Sequence, residues 1–93
     1  MKKQTQCVHS GTYVDSATGG INTPIFTSSV FKYLDSDTHP YPRYFNTPNQ
    51  EAVVKKLCAL EQAEDGILFS SGMAAISTAI LSIVGIGDHV ILQ

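Results

Sequence analysis

The chain has 93 residues, of which 43% are hydrophobic and 15% are charged, and its net charge at pH 7 is −2. This length allows one domain with a small core, and the lack of a basic stripe argues against a nucleic-acid partner. No apolar run reaches the roughly 18–20 residues that span a bilayer and no signal-peptide core follows the N-terminus, so we expect a cytoplasmic protein with no membrane partner.

Residues 1–46 are predicted to form an extended N-terminal arm. The sequence lacks helical periodicity up to residue 40, and Gly19, Gly20 and Pro24 interrupt it. Apolar side chains scattered along the arm favour docking on a surface over disorder. Most of the dense apolar sequence lies in residues 66–93 instead, and we therefore expect the chain to depend on another subunit or on further sequence.

Residues 47–64 carry the clearest helix signal. Thr47 suits the N-cap, Pro48 suits the first helical position, and Gln50 completes a capping box. Apolar residues at helical spacing follow, and Glu64, Asp65 and Gly66 are expected to end the helix. The remainder is predicted to be strand 67–69, a turn at 70–72, a buried helix over 73–84 capped by Gly85, and a strand from His89. A strand, a helix and a returning strand form a βαβ unit, which implies an α/β fold with a parallel sheet.

Two clusters could bind an anion. Ser70–Ala75, which reads SSGMAA, places a small-residue turn before a helix, where free backbone N–H groups and the helix dipole favour a phosphate. In the second cluster, Tyr41 and Tyr44 flank Arg43, whose guanidinium can grip a phosphate or carboxylate with two parallel hydrogen bonds. Composition alone favours the alternative for this second cluster, a proline-containing loop with packed aromatic rings and a solvated arginine.

The cysteines and histidines suggest neither a disulfide nor a metal site. Cys7 and Cys58 are expected to be reduced thiols. The three histidines are not spaced as metal ligands, either with one another or with the cysteines, so no metal is assigned.

Taken in chain order, the motifs resemble the N-terminal part of the Cys/Met-metabolism enzymes that use pyridoxal phosphate, such as cystathionine γ-synthase, cystathionine β-lyase, cystathionine γ-lyase and methionine γ-lyase. The stretches that carry the resemblance are Val8–Gly11, Asp15–Gly19, Thr23–Phe31, Tyr41–Asn46, Leu57–Glu61, Ser70–Ala75 and Gly87–Val90.

The resemblance implies a fold-type I, aspartate-aminotransferase-like α/β enzyme that works as a homotetramer. Residues 1–46 would then be the arm, and residues 47–93 would be one helix plus the first βαβ unit of an incomplete cofactor-binding domain. By the same resemblance, Tyr41 and Arg43 would bind the pyridoxal 5'-phosphate of the neighbouring identical subunit. The backbone of Gly72 and Met73 would bind the phosphate in its own subunit, and the substrate would be cystathionine or a related sulfur amino acid.

The chain departs from the family pattern in two ways. Phe45-Asn46-Thr47-Pro48 stands where the family usually has Gly-Asn-Pro-Thr, which leaves the role of Phe45 open. The family's catalytic lysine lies further along the sequence, and none of the five lysines here has its context, so we expect no catalytic residue in this segment and no activity from it alone. The alternatives are a non-enzymatic remnant that associates with other chains, or an aminotransferase or sulfhydrylase of the same broad fold. These residues do not distinguish β-elimination, γ-elimination and γ-replacement.

Overall fold

The computed structural model describes all 93 residues and contains three α-helices, a short 3-10 helix and no strand. Helix α1 spans Lys3–His9, the 3-10 helix spans Pro42–Tyr44, α2 spans Pro48–Glu61 and α3 spans Gly72–Leu81. None of the 93 residues is buried. The radius of gyration is 17.1 Å, whereas about 12 Å is usual for a compact domain of this length, so the chain is open and has no core of its own.

The arm is not extended throughout, because its first residues form α1. This helix has no side-chain cap and, at seven residues, is too short to be stable alone. It packs instead on α2: Lys56 Nζ donates to the carbonyl of Val8 over 3.3 Å. Gly11, at a φ of +64°, lies so close to α2 that a Cβ there would be 2.8 Å from the backbone nitrogen of Lys56. The expectation of a wholly extended arm was therefore wrong for Lys3–His9.

A second contact holds the extended part of the arm against the beginning of α2. Asn49 accepts a hydrogen bond from the N–H of Phe26 and donates one to the carbonyl of Pro24, both over 2.8 Å. The ring of Phe26 also meets Tyr13 edge-on, with ring centroids 6.3 Å apart. The arm thus docks on a helix of its own chain.

Helix α2 begins where the sequence predicted but ends earlier. Thr47 and Gln50 form the capping box, with Pro48 in the first turn. The last helical residue is Glu61, because Gln62 takes a left-handed conformation at a φ of 58° and the N–H of Ala63 then donates to the carbonyl of Cys58 over 3.0 Å. The prediction that the helix continues to residue 64 was wrong.

Helix α3 is shorter and more exposed than predicted. It ends at Leu81, with the right-handed Ser82 as its C-cap. Gly85 does not cap it; its N–H donates instead to Asp88 Oδ2 over 2.6 Å in the following turn. Met73 and Leu81 are 71% and 72% exposed, so the expected burial of this helix is not seen. None of the helices combines the length and apolar character that crossing a membrane requires.

Neither of the predicted strands is formed. Residues 67–69 and 89–92 have no backbone ladder bonds, and the βαβ unit is absent from this structure. A strand is stable only when its N–H and C=O groups pair with neighbouring strands. The two segments do not pair with each other, and the 93 residues offer them no third strand.

Candidate functional site

The first turn of α3 presents two free hydrogen-bond donors. Ser71 is the N-cap, and its Oγ accepts from the N–H of Ala74 over 3.1 Å. The N–H of Ala75 donates to the Ser71 carbonyl over 3.2 Å. The N–H groups of Gly72 and Met73 are left with no acceptor in the chain, as expected for the start of a helix. The helix dipole favours an anion at this end of α3, and the first turn has no acidic side chain that would repel one.

The space in front of Gly72 is open. A Cβ built on Gly72 would have no atom within 4 Å apart from its chain neighbours and the nearby backbone of its own helix, and Gly72 is not among the glycines with a positive φ. Neither the backbone conformation nor the packing of this chain therefore requires a glycine at position 72.

The Tyr41–Tyr44 segment is held in shape by Asn46, which follows it closely in sequence. Asn46 Oδ1 accepts from the N–H of Tyr41 over 2.8 Å, and Asn46 Nδ2 donates to the carbonyl of His39 over 3.2 Å. The rings of Tyr41 and Tyr44 meet edge-on with centroids 5.2 Å apart. This loop, residues 39–46, is therefore closed on itself by one amide side chain, and we call it the arginine loop because it carries Arg43.

Gln50 ties the arginine loop to α2. Its Nε2 donates to the carbonyl of Pro42 over 2.9 Å. Its Oε1 accepts from the N–H and Oγ1 of Thr47, over 3.2 and 2.7 Å. The sequence predicted the capping role of Gln50 but not its bond to Pro42. Asn46 ends the Tyr41–Asn46 stretch, and the sequence suggested no role for it. An asparagine just before a helix start is nevertheless a typical turn-forming residue.

The structure brings part of the two clusters together. Arg43 and Ser70 line one open groove, in which the guanidinium of Arg43 has no hydrogen-bond or ion-pair partner from the chain. Tyr41, Gly72 and Met73 do not line this groove. The remaining lining residues are Pro42, Phe45, Gln50, Leu68 and Phe69. The groove is therefore shared by Arg43 and Ser70 but does not include the two N–H groups at the start of α3.

Asp15, which does not line this groove, has a lowered pKa. Hydrogen bonds from the side chain and then the backbone N–H of Thr18 hold the pKa of Asp15 below its ordinary value. The two bonds to Asp15 Oδ2 measure 2.6 and 2.8 Å. The carboxylate therefore stabilises a turn in the arm. No group of three or more His, Cys, Asp or Glu side chains is placed to hold a metal ion.

The chain belongs to the family of Cys/Met metabolism PLP-dependent enzymes, whose model matches residues 4–93. It is 39% identical over 94 residues to the cystathionine gamma-lyase of Bacillus subtilis, covering 99% of this chain and 24% of that protein. It is 39% identical over 92 residues to a cystathionine beta-lyase of the same organism, and the match covers 96% of this chain and 23% of that protein. It is also 33% identical over 99 residues to the O-acetyl-L-homoserine sulfhydrylase of Corynebacterium glutamicum, with 95% and 22% covered.

The chain thus spans about a quarter of the length of these relatives. The family has the fold-type I architecture of pyridoxal-phosphate enzymes. The donor set of this chain fits the phosphate of that cofactor. The start of α3 supplies two N–H groups with no acceptor in the chain, and Arg43, whose guanidinium has no partner in the chain, lines a groove that Ser70 also lines.

Proposed function

We propose that this chain is the N-terminal part of a longer pyridoxal-phosphate-dependent trans-sulfuration enzyme, a C–S lyase or γ-synthase that acts on cystathionine or a related sulfur amino acid. Family membership and the named activities of the relatives support this proposal. The structural observation that carries it is the start of α3, where the N–H groups of Gly72 and Met73 have no acceptor in the chain.

In this proposal the chain binds the cofactor, and the rest of the protein supplies the catalytic lysine. When bound, the cofactor accepts the electron pair that bond cleavage leaves on the substrate carbon. Gly72 and Met73 hold the phosphate of their own subunit through main-chain N–H groups. Tyr41 and Arg43 hold the phosphate of the neighbouring identical subunit, Arg43 through its two-pronged guanidinium.

The finer architecture is proposed on the same basis. Residues 1–46 form the arm, and residues 47–93 begin the cofactor-binding domain, whose first βαβ unit would comprise strand 67–69, α3 and a strand from residue 89. Helix α3 exposes apolar side chains, such as Met73, Ile76 and Leu81, and this exposure favours packing of α3 against the rest of such a domain. A homotetramer is the proposed assembly, and a cytoplasmic location stays a prediction from the sequence.

The test of the reaction is product analysis with the full-length protein and L-cystathionine. Cleavage of the Cβ–S bond yields homocysteine, pyruvate and ammonia, whereas cleavage of the Cγ–S bond yields cysteine, 2-oxobutyrate and ammonia. Either keto acid, formed only when pyridoxal phosphate is supplied, would support the proposal. If the protein neither cleaves cystathionine nor forms it from cysteine and an O-acylhomoserine, the trans-sulfuration assignment is contradicted.

A sulfhydrylase is the second candidate, because one relative of 33% identity is an O-acetyl-L-homoserine sulfhydrylase. Such an enzyme would join sulfide to O-acetyl-L-homoserine and release homocysteine and acetate. The same preparation, supplied with these two substrates, separates this candidate from the lyase by its product. If neither reaction occurs and pyridoxal phosphate does not bind, the non-enzymatic alternative is favoured.

A further inference from the structure

Phe45 adopts a backbone conformation that disfavours a bulky side chain. It ends the 3-10 helix at φ 57° and ψ 29°, in the left-handed region, while its N–H donates to the carbonyl of Pro42 over 3.2 Å. Glycine enters this region without steric cost, whereas a side chain with a Cβ does not. A phenylalanine here therefore needs a compensating contact made by its ring.

The ring of Phe45 contacts the ring of Phe69, and both residues line the groove that Arg43 lines. Its centroid lies 5.9 Å from that of Phe69, with the two planes tilted by 49°. This separation is within the range of favourable aromatic pairs. Phe69 directly precedes Ser70, which opens the turn into α3. The pair therefore links the arginine loop to the segment that leads into the phosphate-binding turn.

We propose that Phe45 is a positioning residue that fixes where Arg43 faces. This inference rests on the proposed function, because it assumes that Arg43 binds a cofactor phosphate. The guanidinium of Arg43 has no protein partner, so its placement depends on how the arginine loop is anchored. Asn46 shapes that loop and Gln50 ties it to α2, while the ring of Phe45 sets its position relative to residues 68–70.

The test compares pyridoxal phosphate with pyridoxal, which lacks the phosphate, as ligands of the full-length protein. Removing the ring with Phe45→Ala should weaken pyridoxal phosphate binding roughly three- to ten-fold, the range that an aromatic pair provides, and should leave pyridoxal binding unchanged. Phe69→Ala should have the same effect, and the double variant should be no weaker than either single one, because both changes remove one contact. Tyr33→Ala is the matched control, since Tyr33 is 71% exposed and belongs to none of the aromatic pairs.

Phe45→Gly separates the ring from the backbone. Glycine relaxes the left-handed conformation, so this variant should fold at least as well as Phe45→Ala and still lose pyridoxal phosphate affinity. Unchanged affinity in Phe45→Gly, or an equal loss for pyridoxal phosphate and pyridoxal, would overturn the inference while leaving the proposed function intact. A wild-type protein that binds pyridoxal phosphate no better than pyridoxal would overturn the proposed function, and the inference with it.

Discussion

Replacing Gly72 tests the proposed phosphate site, and we expect it to leave the fold of the chain undisturbed. A Cβ at this position would meet no atom within 4 Å beyond its chain neighbours and the nearby backbone of its own helix, and the backbone is not left-handed there. Gly72→Val should therefore leave the free energy of unfolding of the full-length protein little changed. Any effect on the ligand then reports on the space in front of the helix, which the branched side chain would occupy.

The expected loss follows from the two free donors. A hydrogen bond from a main-chain N–H to a charged phosphate contributes about 1.5–3 kcal/mol. If the valine side chain prevents one such bond, pyridoxal phosphate affinity should fall by about ten- to a hundred-fold. Met73→Leu keeps its N–H and changes a side chain that is already 71% exposed, so it should cost well under ten-fold.

The assay is equilibrium dialysis of the full-length variants against pyridoxal phosphate and against pyridoxal, with urea unfolding measured in parallel. Gly85→Val is the control in the turn that follows α3, because a Cβ on Gly85 makes only an ordinary contact, 3.7 Å from Asp88 Oδ2. The reasoning would be refuted if Gly72→Val retained pyridoxal phosphate as tightly as the wild type while Met73→Leu lost it.

Three further predictions concern other residues. Arg43→Lys keeps the charge but loses the paired hydrogen bonds, and should weaken pyridoxal phosphate binding by about 1–3 kcal/mol; unchanged affinity would make Arg43 a solvated loop residue. Borohydride reduction of the 93-residue chain with pyridoxal phosphate, followed by peptide mass spectrometry, should find no lysine labelled stoichiometrically; a single fully labelled lysine would contradict this. The lowered pKa of Asp15 means that its carboxylate stabilises the turn above the carboxyl's ordinary pKa, and that this stabilisation is lost as pH falls through the lowered value. Thr18→Ala should raise the pKa of Asp15 in an NMR titration of its carboxyl carbon, and an unmoved titration would show that the hydrogen bond from the Thr18 hydroxyl is not the cause.

Local signals predicted the beginnings of α2 and α3 better than their ends. Thr47, Pro48 and Gln50 are typical start residues, and α2 begins among them. The end at Glu61 had no such signal, because the left-handed residue that follows is a glutamine rather than a glycine. For α3, apolar residues continue past Leu81, so periodicity alone extended the prediction too far.

The expectations that failed depend on contacts between distant residues. Helix α1 is stabilised by its packing on α2, which nothing in residues 3–9 specifies. The predicted strands have no partners among these 93 residues. The contact between Phe45 and Phe69 joins two separate motifs. The sequence did not predict it, because the family usually has a glycine, which has no side chain, at position 45. The free N–H groups of Gly72 and Met73, by contrast, follow from helix geometry alone.

The most direct test of the account is a crystal structure of the full-length protein with pyridoxal phosphate bound. The account predicts phosphate oxygens at hydrogen-bond distance, about 2.7–3.2 Å, from the main-chain nitrogens of Gly72 and Met73. It also predicts the guanidinium of Arg43 on the phosphate bound in the neighbouring subunit. A phosphate bound elsewhere, with the first turn of α3 in contact with solvent or with other protein groups, would contradict the central claim.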